Sequence, residues 1–479
     1  MIAGRFADLQ VLGLQEGLSD LAGDGGAISL FGLWGGARAL VLGEIARALK
    51  RPLVVVTPTL REAEEVTADL RFFLDRDQVN LFPEPEVPPF QPVSPPLEIR
   101  AERMQRLREL RDEELKALVL PIHALFRRFL PPDALDSATV RLYPHRIVPP
   151  EQVVELLEVG GYRSVPQVEQ AGEYSRRGGI LDIGLSHLLH PVRIEFFGDE
   201  IESIRTFDVG TQRSLSGSRR VDGVTIFPLS EVLLSAESRG LARRRTAGQA
   251  PPLVQEAVEM ARSGPGVERY LPYFHRHIVP LWEYFSPGTI LVWDDPDQVM
   301  AKAEATHALL LEEYKRHKAE GLPPLTATHL RWKEIHATLA SRPRIDLFPF
   351  SPPPGEQGAP FVFETKRAPS YQGRFTPWYA ISGSGVERDV PSAWWPGGRP
   401  RPSAFVRSFA SMTSGRPSPT GLPPPEGSIS LKGDSALAST LRRSSRPISR
   451  RPRFSARVGG SPFGGQRFDN PALSTHSRI

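Results

Sequence analysis

Leu53-Val54-Val55-Val56 is an unbroken apolar run. Such a run suits a strand buried on both faces, and that environment belongs to a sheet with helices on either side. The flanking patterns agree. Ala27 to Phe31 reads as a short strand, Ala37 to Lys50 as a helix, Thr59 to Leu74 as a second helix and Leu118 to Leu120 as another strand. Glu62, Glu64 and Glu65 sit near the start of the second helix, where the helix dipole favours them. Alternation of this kind predicts an α/β parallel sheet.

A different pattern follows. Glu151 to Val159 reads as a short helix, and Gly179 to Ile183, Val192 to Phe197 and Ile201 to Phe207 read as strands, with Gly198-Asp199 as a hairpin turn. These elements predict a small α+β domain. Residues 229–350 read as mainly helical, with one strong strand from Thr289 to Trp293 and an amphipathic helix from Glu304 to Lys318. After Phe375 the character changes. Residues 376–479 hold 15 Lys and Arg against 5 Asp and Glu, a net charge of +10, and the other 375 residues then carry −6 of the chain's total of +4. The basic balance therefore belongs to the tail and does not indicate a basic nucleic-acid groove in the folded part. The tail is dominated by Ser, Pro, Arg and Gly without helical or strand period, a composition expected of disorder.

There are no cysteines, which excludes disulfides, thiolate zinc sites and a cysteine nucleophile. Asp8, Glu16, Asp20 and Asp24 interrupt the first thirty residues, against a signal peptide. No apolar run reaches the ~20 residues of a membrane span. A cytoplasmic protein with no membrane partner is the expectation.

Three motifs bear on chemistry. The turn from Gly32 to Ala39 follows a strand and opens a helix, where a phosphate-binding loop would lie. The pattern G-x-x-x-x-G-K-[ST] starts at Gly32 and passes Gly35 and Gly36. It then fails at its last three positions, which are Ala37, Arg38 and Ala39. Alanine cannot ligate magnesium, so this reads either as a degenerate nucleotide loop or as an ordinary glycine-rich turn. Asp294-Asp295 ends a strand, where an ATPase would hold its metal, but acidic residues are common there. His275 and His277, and likewise His187 and His190, read as structural; no metal site and no catalytic residue is expected. In Val192 to Phe197, alternation buries Val192, Ile194 and Phe196 and puts Arg193, Glu195 and Phe197 on the outer face. Exposed arginine beside an aromatic suits a protein-binding hot spot. Arg176 and Arg177 could extend that patch, and a solvated face with Phe197 covered by another domain is the alternative.

The run from Tyr174 to Leu215, YSRRGGILDIGLSHLLHPVRIEFFGDEIESIRTFDVGTQRSL, resembles the domain that bacterial transcription-repair-coupling factors share with excinuclease B of the excinuclease ABC system. Leu81-Phe82-Pro83, Ser94-Pro95 with Ile99 and Glu102-Arg103, Ile226-Phe227-Pro228 and Leu271-Pro272-Tyr273-Phe274 follow in family order, so the similarity covers about residues 20 to 375. The degenerate loop at Gly32 favours the coupling factors, since excinuclease B keeps an intact ATP site. The resemblance implies a degenerate P-loop, RecA-like domain (1–130) with an inserted UvrB-interaction-type domain (131–228). Residues 229–350 would complete the first domain, 351–375 would begin a further one, and 376–479 would be the disordered tail. It also implies binding of excinuclease A, another component of the excinuclease ABC system, through two arginines and a phenylalanine, whose pattern falls on Arg177, Arg193 and Phe197. No cofactor is expected in this part: ATP, DNA and RNA polymerase belong to the family's C-terminal motor, which the sequence after Phe375 does not resemble. A frameshift near codon 375 would explain that change. The competing functional readings are an ATP-dependent damage-binding helicase like excinuclease B, a nucleic-acid binder working through the basic tail, and a non-functional product of a disrupted gene.

Overall fold

The computed structural model describes residues 26–214, 221–247, 249–352 and 361–365, with Leu14, Gly17 and Leu21 before them. The expected tail and the expected break near residue 375 lie outside the described residues.

The first strands and helices alternate: β1 (Ala27–Phe31), α1 (Gly36–Leu49), β2 (Leu53–Thr57), α2 (Leu60–Phe73), β3 (Val79–Leu81), α3 (Leu97–Arg111) and β4 (Ala117–Pro121). A capping box starts α2. The Thr59 hydroxyl accepts from the Glu62 N–H at 3.3 Å, and the Glu62 carboxylate accepts from the Thr59 N–H at 3.1 Å. After β4 the chain leaves the sheet and builds α4 (Pro150–Val159), β5 (Arg163–Ser164), β6 (Glu173–Arg177), β7 (Ile180–Ile183), β8 (Val192–Phe197) and β9 (Glu200–Thr206). It returns through short helices to β10 (Ile290–Asp294), α5 (Pro296–His317), β11 (Arg344–Phe348) and β12 (Phe361–Val362).

The main sheet is parallel, in the order β12-β1-β11-β10-β2-β4-β3. Its strands show why the apolar runs are unbroken. Leu53, Val55, Ala117, Val119, Ile290 and Val292 pack with α1 and α2 on one face. Val54, Val56, Leu118, Leu120, Leu291 and Trp293 pack on the other, with Met104 and Leu107 of α3 and Val299 and Ala303 of α5. Each such buried Val, Leu, Ile or Met side chain contributes about 1.5–3 kcal/mol, and both faces need covering.

Residues 229–350 hold mostly helices and the expected strand β10, and they also supply β11, which the sequence pattern does not predict; both strands are interior to the sheet. Residues 351–375 are expected to begin a further domain; of these, Phe361–Val362 instead pairs with Leu30 and Phe31 of β1 as an edge strand of the main sheet. The helix expected from Glu304 begins at Pro296 instead. Asp295 caps it, accepting from the Gln298 N–H at 3.2 Å, and proline fits the first turn.

The inserted sheet has the order β9-β8-β7-β6-β5. Its inner face carries Tyr174, Leu181, Ile183, Val192 and Ile194 against Val153 and Leu157 of α4. Helix α3 ties the two regions together: Ala101 packs in this second core while Met104, Leu107 and Leu110 pack in the main one.

Candidate functional site

The antiparallel register of the inserted sheet decides which side chains share its outer face. Arg193 lies opposite Asp182 on one side and Arg205 on the other, and Ser175 lies opposite Asp182. One step along, Glu195 and Arg177 both lie opposite Ile180. At the end of the sheet Phe197 lies opposite Glu200, and an isolated bridge sets Ile147 beside Glu200. A bulge opposite Glu195 and Phe196 skips Glu202. It lets both Ile201 and Ile204 turn inward, where each is fully buried.

Arg177, Arg193 and Phe197 are therefore brought to one face, each in a different state. Phe197 is 81% exposed, and no other element covers it among the described residues. Arg193 is only 17% exposed. Its Nε and one terminal nitrogen donate to the two carboxylate oxygens of Asp182 at 2.7 and 2.9 Å, and its guanidinium lies 4.7 Å from the centre of the Phe207 ring. The carboxylate of Asp182 pushes the Arg193 pKa up, against the opposing pull of burial. Arg177, half-exposed, donates to the same carboxylate at 3.0 Å. Asp182 itself is 0% exposed. It is a buried anion that fixes two cations, and it lends the bidentate geometry that arginine favours.

Arg176 does not join this patch. It lies opposite Leu181, whose side chain is in the core, and it pairs with Glu151 at the sheet's margin. Neighbours in a strand point to opposite faces, so Arg176 and Arg177 cannot extend the same surface.

The loop at Gly32 is closed from within. The Gly32 N–H donates to the Phe348 carbonyl at 2.9 Å, Ala37 N–H to Trp34 and Arg38 N–H to Gly35. Those donors would be the ones to cradle a phosphate. Gly36 and Ala39 begin helix α1, with Gly35 before them at positive φ. The side chain of Arg38 turns away from the loop to the end of β10, where it meets Asp294 at 2.5 Å. Burial pushes the Asp294 carboxyl up, and Arg38 opposes that shift. The two remnants expected of a nucleotide site thus satisfy one another. Gly32 has a φ of 78°, and a Cβ there would stand 2.1 Å from the Phe363 carbonyl oxygen. Gly32→Ala is accordingly expected to lower stability by at least ~1–3 kcal/mol and to release residues 361–365 from β1, measurable as amide exchange at Phe363.

His275 is buried and bonds the Glu231 carbonyl at 2.7 Å; its structural reading stands. No cluster of three or more metal-ligating side chains occurs among the described residues. No helix there is long and apolar enough to cross a membrane.

Sequence reasoning missed Asp182, Phe207 and Ile147. Asp182 sits in the apolar run Ile180 to Ile183, and a lone acid within such a run is the signal that could have found it, since a buried carboxylate demands a cation.

Known proteins carry the same domain. Residues 140–231, which hold every residue of that face, match the family described as UvrB interaction domain. This region is a UvrB interaction domain. Around it, the chain is 30% identical over 319 residues to the transcription-repair-coupling factor of Haemophilus influenzae, an alignment covering 65% of this chain and 27% of that protein. It is 27% identical over 324 residues to the same-named protein of Escherichia coli, covering 66% and 28%. It is 33% identical over 286 residues to that of Myxococcus xanthus, covering 55% and 24%. The chain thus spans about a quarter of the length of these curated relatives, and the similarity to them extends beyond its UvrB interaction domain.

Proposed function

We propose that the UvrB interaction domain of this chain docks excinuclease A, as a recruitment module in transcription-coupled nucleotide excision repair. The observation that carries this is Phe197, an aromatic 81% exposed on the outer face of a sheet and flanked by two arginines held by one buried carboxylate. A large exposed aromatic beside preorganised guanidinium groups has the composition of an interface hot spot. The relatives' printed name supports the repair context.

The roles divide by exposure. Phe197 and Arg177 make contact; Arg193, with its donors committed to Asp182 and the Gln212 carbonyl, mainly holds the surface in shape. A reading as an ATP-driven helicase is disfavoured by the ion pair of Arg38 with Asp294, which occupies the groups that would meet phosphate and metal.

Binding of excinuclease A to the full chain tests the proposal. Phe197→Ala should weaken it by about 2 kcal/mol or more, roughly thirtyfold, with Arg177→Ala giving a smaller loss. Undiminished binding by both variants would sink the assignment. Phe197 is solvent-exposed, so its variant should keep the melting temperature of the parent.

A further inference from the structure

A second site lies on the main domain, away from the docking face. The segment after β3 is rich in proline, and it arches over a cavity of about 620 Å³. That volume is in the range of sites for small organic ligands, about 300–1,000 Å³. Phe82, Phe90 and Phe126 line it, with Pro83, Pro85 and Pro88. Glu86 and Phe90 on the arch adopt φ of 59° and 65°. Left-handed backbone at non-glycine residues is strained, and strain of this kind clusters at ligand sites.

The charge lining the cavity is unbalanced. Arg103 and Arg127 both reach Glu231, each at 3.4 Å, so two cations share one anion. Arg128 forms no close ion pair among the described residues; Glu334 is the acid whose charge it feels, and its buried Nε has no hydrogen-bond partner. Lys302, exposed at the cavity, makes no ion pair there either. The acids of the lining are engaged or exposed: Glu84 meets His123 at 3.1 Å, Glu268 accepts from Ser94 at 2.7 Å and from Arg100 at 3.4 Å, and Glu86 is exposed. His329, also in the lining, has its pKa pushed down to about 3 by burial and by the positive charges of Arg127 and Arg128. Basic side chains thus outnumber acidic ones in the lining: Arg103, Arg127, Arg128, Arg269 and Lys302 against Glu84, Glu86 and Glu268.

We infer that this cavity binds a small flat anion: an aromatic or heteroaromatic body between the phenylalanine and proline walls, with a phosphate or similar group on Arg128 and Lys302. Burial pulls the Arg128 pKa down against the charge of Glu334, and a bound anion would offset that partial desolvation while gaining charge-assisted bonds. The site is distinct from the loop at Gly32, where the N–H groups of Gly32, Ala37 and Arg38 are already bonded within the protein.

The probe is trinitrophenyl-AMP, followed by fluorescence on the full chain. Saturable one-to-one binding is expected, with affinity falling about tenfold in Arg128→Gln and severalfold in Lys302→Gln. Arg61→Gln, exposed on α2 across the main sheet, should bind as the parent does. AMP should displace the probe and adenosine should not. Lys302 is exposed, so its variant reports even if Arg128→Gln folds poorly. Absence of saturable binding, equal affinity in parent and Lys302→Gln, or displacement by adenosine as readily as by AMP would each overturn the inference.

Discussion

Asp182→Ala is expected to destabilise the UvrB interaction domain by about 3–5 kcal/mol, the cost of removing one partner from a buried ion pair. Asp182 is 0% exposed and receives three hydrogen bonds, two from Arg193 and one from Arg177. The loss does not come mainly from the half-exposed Arg177, which can turn to water. It comes from Arg193, which would keep its charge over the Phe207 ring with only the more distant Glu195 to balance it. Local stability can be read by amide exchange along β6, β7 and β8, where protection should fall by at least a hundredfold, each ~1.4 kcal/mol being a factor of ten. The double variant Asp182→Leu with Arg193→Met should recover much of the stability, because a buried pair can be replaced by apolar side chains at little cost. It should not recover docking, since Arg177 loses its anchor too. A double variant as unstable as Asp182→Ala would show that these residues do not act as a pair.

The same residues show what the sequence could and could not reveal. The alternation in Val192 to Phe197 sorted inner from outer face correctly, because a half-buried strand has a strict period of two. The unbroken runs of β2 and β4 gave a parallel sheet for the same kind of reason. β11 was hidden: Arg344 and Asp346 alternate with Ile345 and Leu347, and their mutual bond at 3.2 Å is what lets them sit in an interior strand. β12 is two residues long, too short to carry a period. Asp182 was hidden differently. Its cations come from two neighbouring strands, so only the register puts them together. Arg38 and Asp294 were each singled out from local patterns, yet 256 positions separate them, and nothing local says that they touch.

That contact yields the second large effect. Arg38→Gln is expected to cost about 3–5 kcal/mol at neutral pH, because it leaves the Asp294 carboxylate buried without its cation. The pH dependence has a definite sign. Burial already raises the Asp294 pKa in the folded chain, and Arg38 is the largest influence opposing that rise. Without Arg38 the folded-state value climbs further above its unfolded one. A carboxyl with a raised folded pKa binds its proton more tightly in the native state. Its protonated form therefore favours folding at low pH, and that advantage is lost as pH rises through the folded pKa. The gap between parent and Arg38→Gln should be widest at neutral pH and should narrow as acid protonates Asp294. Relative to Asp294→Asn, which has no carboxyl to titrate, the parent should instead gain stability in acid, because its own Asp294 pKa is raised in the folded state. Urea unfolding of the three proteins across that acid range is the measurement. A gap that stays constant with pH would mean that Asp294 is not the group Arg38 neutralises. The charge beside the glycine-rich loop would then have some other partner, and the loop would not be closed by its own residues.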